Sequence, residues 1–247
     1  GLGDVYKRQE EMYVARPPLF SNVITFDHYI DLIYNTSFMH NVWNSFVIAA
    51  ITTIICLAIG ILGSYAMTRL KYPGRSFFRN SIIISYLMPT AVLFVPMYVF
   101  VSSLGFYDNK YALLIIYPTF VVPYCCYMLI SYFKAIPYAL EEAALIDGCN
   151  RLQTLWYIIM PIALPGIAVV ATFAFTMAWN EYLYAMIMTT SNVQKTATVA
   201  ISGFKYADSA IWGRIMSASV VCSLPVTLLY IAAQSMLISG KYEGSVK

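Results

Sequence analysis

Long apolar runs alternate with short polar links along nearly the whole chain. Five runs, 42–68, 77–104, 111–133, 162–188 and 211–239, reach the ~20 mostly apolar residues that a helix needs to cross a bilayer. The pattern predicts an all-α membrane protein with five spans. Pro89, Pro96, Pro118, Pro123 and Pro225 fall inside these runs. Each frees backbone groups that a neighbouring helix or cavity water must satisfy, so a bundle is expected rather than isolated lipid-facing helices.

The polar links set the expected orientation. The link RLKYPGRSFFR carries Arg69, Lys71, Arg75 and Arg79, which assigns it to the cytoplasm by the excess of basic residues there. The link SLGFYDNK then lies outside, the stretch between the third and fourth runs inside, the 189–210 link outside, and the tail GKYEGSVK inside. Residues 1–41 fall outside as an extracytoplasmic segment, with the transmembrane domain over 42–247. The chain opens on Gly1, and GLGDVYKRQEEMYVARPPLF lacks the apolar core of a signal peptide. Its extreme N-terminus reads as truncated or as a non-native scar, with a further span upstream.

Composition supports a lipid environment: 60% of the 247 residues are hydrophobic and 11% charged, against about 25% charged in soluble domains. A net charge of +3 gives no reason to expect a nucleic-acid partner. The five cysteines have no metal-ligand spacing with the two histidines, His28 and His40, and read as buried small hydrophobes. No cofactor is expected.

One stretch breaks the apolar pattern: EEAALIDGCNRLQTLWYIIMPIALP, residues 141–165. Pro137 suits a helix start. Glu141 and Glu142 suit the positive end of the helix dipole. Ala143 and Ala144 are small helix formers that allow close approach, and Gly148 is a natural stop. A second short helix is expected from Asn150 as N-cap, with Leu152, Leu155, Trp156 and Ile159 forming an apolar stripe and Pro161 and Pro165 punctuating the approach to the fourth span. Two short helices at a sharp break, over 136–161, read as a docking element for a cytoplasmic partner.

These residues match the signature loop of binding-protein-dependent, ATP-driven importer permeases, E-A-A-x3-G-x9-I-x-L-P. Here it comprises Glu142, Ala143, Ala144, Gly148, Ile158 and Pro161, with Asp147 in its usual place and Met160 where leucine is usual. Over about residues 25–247 the chain resembles the carbohydrate-uptake permeases of the maltose type, smaller subunit, through NSFVIAA, MPTAVLFVPMY, IPYALEEAALIDG, WNEYLYAM and GKYEGSVK. The tail departs from the usual Gly-Leu-Thr-x-Gly form, although Gly244, Val246 and Lys247 fit its end.

The resemblance implies a type I ABC importer transmembrane domain in the bacterial inner membrane, with five spans present of an expected six. It implies a coupling helix that seats in an ABC ATPase subunit dimer, a second permease subunit, and an extracytoplasmic solute-binding protein. It also implies that this chain is not itself an enzyme. In keeping with that, no G-x-x-x-x-G-K-[ST] phosphate loop occurs in the sequence.

Glu181, in AWNEYLYAM, is the one carboxylate inside an apolar run, where a charge costs about 2.5–3.5 kcal/mol or more unless paired or hydrated. With Asn180, Trp179, Tyr182 and Tyr184 it offers the ring faces and polar groups that suit a sugar. The alternative is a structural hydrogen-bonding role. Asn44 is a further candidate for the path. Another solute, such as a glycerol phosphodiester or an amino acid, stays open. A phosphate would call for a basic residue in the path, and Arg214 sits near the mouth of the last run. An ion-coupled carrier would call for internal repeats and several intramembrane charges.

Overall fold

The computed structural model describes residues 26–206, 209–210 and 212–243. The N-terminal residues 1–25 and the tail residues 244–247, on which the truncation and tail readings rest, lie outside the described residues. A short helix α1 (Asp27–Tyr34) precedes the 32-residue α2 (Phe38–Arg69). Then come α3 (Arg75–Leu87), α4 (Phe94–Ser103), α5 (Leu113–Ile116) and α6 (Pro118–Ala135). The charged stretch forms α7 (Tyr138–Ile146) and α8 (Arg151–Thr154). A π turn, Leu155–Ile159, joins α8 to α9 (Met160–Trp179). The chain continues through α10 (Leu183–Met188), α11 (Ala197–Ser202) and α12 (Trp212–Glu243). A two-residue hairpin, Lys205–Tyr206 against Ser209–Ala210, separates the last two helices.

Among the described residues, three helices are long and apolar enough to cross a membrane: Phe38–Arg69, Arg151–Trp179 and Trp212–Gln234. Two bent pairs raise the number to five, Arg75–Leu87 with Thr90–Ser103 at 91° and Lys110–Ile116 with Pro118–Ala135 at 42°. The expected number of spans is reached, but not as five continuous helices. Two of the runs break at a proline. Pro89 follows the extended residue Met88 at the 91° bend, and Pro118 opens α6, a position where its missing N–H costs nothing. Pro123 and Pro225 are carried inside helices α6 and α12.

The fourth span also differs from its expected limits. The helix starts at Arg151, not near 162, and ends at Trp179, not 188. The expected second short helix is therefore the first turn of this span. Pro161 does not interrupt it, because the π turn just upstream relaxes the helix where the proline ring would press on the carbonyl four residues back.

α2 is the axis of the bundle, packed along α6 and α9, with α12 against α9 and α3 against α6. At Gly60 a Cβ would stand 2.9 Å from that of Cys125, so α2 and α6 approach too closely for any larger residue there. One buried cluster, including Tyr65, Leu129, Phe133, Leu155 and Ile159, fills the end that bears the charged loop. A second, including Ile48, Ile116, Tyr117, Trp179 and Met188, fills the far end. Ile54, Ile59 and Leu62 form an exposed apolar stripe on α2, as lipid contact demands. The links group by end as alternating spans require: 69–79 meets 136–151, and 104–111 meets 189–196.

Candidate coupling loop and solute path

α7 follows Pro137 in the N-cap position. Its buried side carries Glu141 and Ala144, while Ala139, Glu142, Ala143 and Ile146, spaced i, i+3, i+4, i+7, are exposed together, Ile146 at 85%. The helix closes on Gly148 at φ +91°, a left-handed conformation that suits glycine. The Cys149 amide donates to the Ala144 carbonyl at 3.0 Å and the Gly148 amide to that of Leu145 at 3.2 Å, the two bonds of a Schellman closure. Asn150 then caps α8 in a reciprocal pair with Gln153.

Sequence reasoning grouped Ala143 with Ala144, but the two have different surroundings. Ala144 is buried and lets α7 lie close to the bundle; Ala143 is exposed. Asp147 and Pro161 are exposed and Ile158 is half-buried. The expected stripe also divides: Leu155 and Ile159 enter the core, while Leu152 and Trp156 are exposed at 60% and 54%.

Glu141, read from the sequence as an acid in the first turn of the helix, does lie there, but its burial and its partners were not foreseen. It is 2% exposed and accepts hydrogen bonds from the Tyr65 hydroxyl at 2.8 Å and from Arg151 Nη1 at 3.0 Å. Arg69 Nε stands 3.7 Å from its second oxygen. Glu141 and Glu142 are neighbours in sequence, and only the phase of the helix decides which faces inward. The available signal was Arg69, a basic residue directly at the end of an apolar run.

At the far end, α9 stops at Trp179 with exposed Asn180 as its C-cap. Glu181 therefore lies in a break between α9 and α10 and not in the interior of a helix. Its carboxylate accepts from the amides of Tyr184 (2.9 Å) and Ala185 (3.1 Å) and from the Tyr117 hydroxyl (3.1 Å). A carboxylate at the start of α10 is favoured by the free amides there.

Buried Tyr184 donates to the Thr90 carbonyl at 2.9 Å, tying this break to the one between α3 and α4. Asn44 is fully buried. It donates to the Val193 and Lys195 carbonyls at 2.8 and 3.0 Å and accepts from Lys110 Nζ at 2.7 Å. The polar atoms of Asn44 and Tyr184 are thus used within the chain. Arg214 is ion-paired with Asp31 of α1. Among the described residues no group of three or more His, Cys, Asp or Glu is placed to hold a metal ion.

Comparison with known proteins places the chain in a family. Residues 58–240 match the family described as binding-protein-dependent transport system inner membrane component. The chain belongs to that permease family. It is similar to the inner membrane ABC transporter permease protein YcjP of Escherichia coli (36% identity, 98% of this chain and 87% of that protein). It is also similar to the trehalose transport system permease protein SugB of Mycobacterium tuberculosis (30%, 93% and 84%).

The fold is that of a bacterial ABC transporter involved in the import of the acidic polysaccharide alginate (TM-score 0.73, 22% identity, 92% of this chain and 84% of that one). The permease is the multi-pass membrane component of an importer in the bacterial inner membrane, and ATP hydrolysis belongs to a separate subunit. The matched region takes in both the α7 loop and the helix breaks joined by Tyr184.

Proposed function

We propose that this permease imports a sugar or oligosaccharide and that loop 136–161 seats in a groove of an ABC ATPase subunit dimer. The observation that carries the docking reading is the exposed row Ala139, Glu142, Ala143 and Ile146 on a helix whose opposite side is locked into the bundle. An 85%-exposed isoleucine beside a carboxylate and two alanines is a surface made for another protein. We also propose, from the basic 69–79 link, that residues 42–247 make up the transmembrane domain and that the segment before it belongs on the outer side of the membrane.

The sugar reading draws on the relative named for trehalose and on the aromatic residues around the helix breaks. The pairing of Arg214 with Asp31 supports it too, since the basic residue at that mouth is already neutralised and offers little to a phosphate. Asn180 and Glu181 are the residues proposed to face the solute, with Tyr184 and Asn44 holding the walls. The α3–α4 break, exposed over Ser85–Val92 in the single chain, supports a second permease subunit as a heterodimer partner. Irregular backbone at membrane depth is tolerated where protein or a water-filled path covers it.

The test is reconstitution with the ATPase, the second permease and the binding protein, followed by uptake of labelled trehalose, maltose, methionine and glycerophosphocholine. Disaccharide uptake is expected. Uptake of methionine or glycerophosphocholine alone would replace the sugar reading. Glu142→Lys should reduce co-purification of the ATPase, and unchanged co-purification would remove the docking reading.

A further inference from the structure

Arg69 is the last residue of α2, and its side chain is wholly buried. It donates to the Phe133 and Ile136 carbonyls at the end of α6, where the last carbonyls of a helix have no partner of their own. Its guanidinium lies 4.1 Å over the ring of Tyr138, the first residue of α7. The Tyr138 hydroxyl donates back to the Thr68 carbonyl at 2.7 Å. One turn further along α7, Glu141 faces Arg69 and also takes the Tyr65 and Arg151 bonds described above. Five segments therefore meet at one side-chain pair: α2, α6, the α6–α7 link, α7 and the start of the fourth span.

A connector that only folds a docking loop does not need this. A buried charge is costly unless paired, and here two are kept. They are also incompletely bonded: Arg69 Nε and Glu141 Oε2 are both buried without a hydrogen-bond partner among the described residues, facing each other at 3.7 Å. That is ion-pair range but longer than the ~2.8 Å of a charge-assisted hydrogen bond. A small movement of α7 toward α2 would make the bond, and a movement away would weaken the pair.

We infer that Arg69 and Glu141 are the positioning pair that passes motion of the coupling helix into the spans. This rests on the reading of α7 as the ATPase-docking helix. The residues that meet the ATPase are the exposed ones, Glu142, Ala143 and Ile146; the buried pair acts behind them, on the bundle side.

The experiment uses the complete importer in proteoliposomes with its binding protein outside. Three quantities are measured: ATPase retained on purification, basal ATP hydrolysis, and the ratio of binding-protein-stimulated to basal hydrolysis. Glu141→Gln keeps the shape and an acceptor for Tyr65 but removes the charge. It is expected to leave retained ATPase and basal hydrolysis within roughly twofold while the stimulation ratio falls about fivefold or more. Glu141→Asp, which keeps the charge, is expected to recover at least half of the ratio.

An unchanged ratio in Glu141→Gln overturns the inference. Loss of the ATPase on purification also overturns it, because the cluster would then merely fold the docking loop. Should Glu141→Gln fail to accumulate in the membrane, Tyr65→Phe and Arg151→Gln each remove one contact to the same carboxylate and are judged by the same criteria. Failure of the docking reading is seen separately, as normal ATPase retention in Glu142→Lys.

Discussion

The Tyr184 hydroxyl donates to the backbone carbonyl of Thr90 at 2.9 Å, across two segments where the helices have come apart. Tyr184 is the second residue of α10, just after the 180–182 break, and Thr90 starts the short 3-10 turn after the Met88–Pro89 break. One hydroxyl thus pins two interrupted spans to each other. Tyr184→Phe removes that bond alone and keeps the ring stacked near Phe120. A loss of about 1 kcal/mol is expected, read as a lower melting temperature in detergent. An unchanged melting temperature would mean that the two breaks are held by packing alone.

Gly148 sits at φ +91° with open space where a Cβ would be, so a substitution meets backbone strain and no clash. Gly148→Val should cost about 1–3 kcal/mol locally and reduce ATPase co-purification while membrane insertion stays normal. Asn tolerates the left-handed region better, so Gly148→Asn should retain more of the ATPase than Gly148→Val. Equal behaviour of the two variants would show that the closure of α7 does not depend on this backbone conformation.

Glu181 accepts the Tyr184 and Ala185 amides of the first turn of α10 and the hydroxyl of buried Tyr117. Glu181→Ala leaves that hydroxyl and two amides without their acceptor, a loss of about 1–3 kcal/mol. Glu181→Gln keeps an acceptor and should be milder in stability. If the carboxylate also faces solute, Glu181→Gln lowers uptake with near-normal stability; normal uptake with Glu181→Gln would confine Glu181 to its structural part.

The orientation inferred from Arg69, Lys71, Arg75 and Arg79 is open to a direct check. Ser76 and Asn192 are both exposed and lie at opposite ends of the bundle. Ser76→Cys should react only with reagents that reach the cytoplasm, and Asn192→Cys with an impermeant maleimide from outside. The reverse pattern would put α7 on the wrong side for an ATPase.

The Asp31 carboxyl is held below its usual range, first by the hydrogen bond from Arg214, although burial opposes this. A depressed carboxylate contributes its stability in full above the ordinary value of 3.8, and loses it as pH falls through the lower folded value. Amide exchange in α1, corrected for intrinsic rates, should therefore be flat from neutral pH down to about pH 5 and rise only once pH has fallen below the ordinary carboxylate value of 3.8. Arg214→Gln should exchange fast at every pH. Protection that ignores both changes would mean that α1 is held by Leu32 and its apolar neighbours and not by the ion pair.

How much of this was legible in the sequence follows from what one dimension can carry. The five apolar runs were, because hydropathy is a property of a window. The bend at Pro89 was not fixed by the proline itself, since Pro123 and Pro225 sit inside helices that continue. What decides is whether neighbours take up the freed backbone groups, and that is a tertiary fact. Pro161 misled in the other direction: a π turn absorbed it and merged α8 with the fourth span. In the loop, Gly148 and Asn150 were legible because closing and capping a helix are local chemistry. The choice between Glu141 and Glu142 was not, because it depends on which face of α7 meets Tyr65 and Arg69, residues more than 70 positions away. Asn44 and Tyr184 stood out as polar groups near apolar runs; the carbonyls that occupy them lie on loops that no local pattern links to them.

α2 has one further consequence. It runs unbroken for 32 residues, with no proline, from Asn44 near one end to Arg69 at the other. Those two residues are separated by about 38 Å along the axis at 1.5 Å per residue. Asn44 grips the Val193–Lys195 carbonyls; Arg69 grips the end of α6. An uninterrupted rod of that length behaves as a beam on a pivot: a tilt of about 5° at the Arg69 end sweeps the Asn44 end through about 3 Å. That is comparable with the width of a water molecule, so the contacts at the two ends of this single helix are geometrically conjugate.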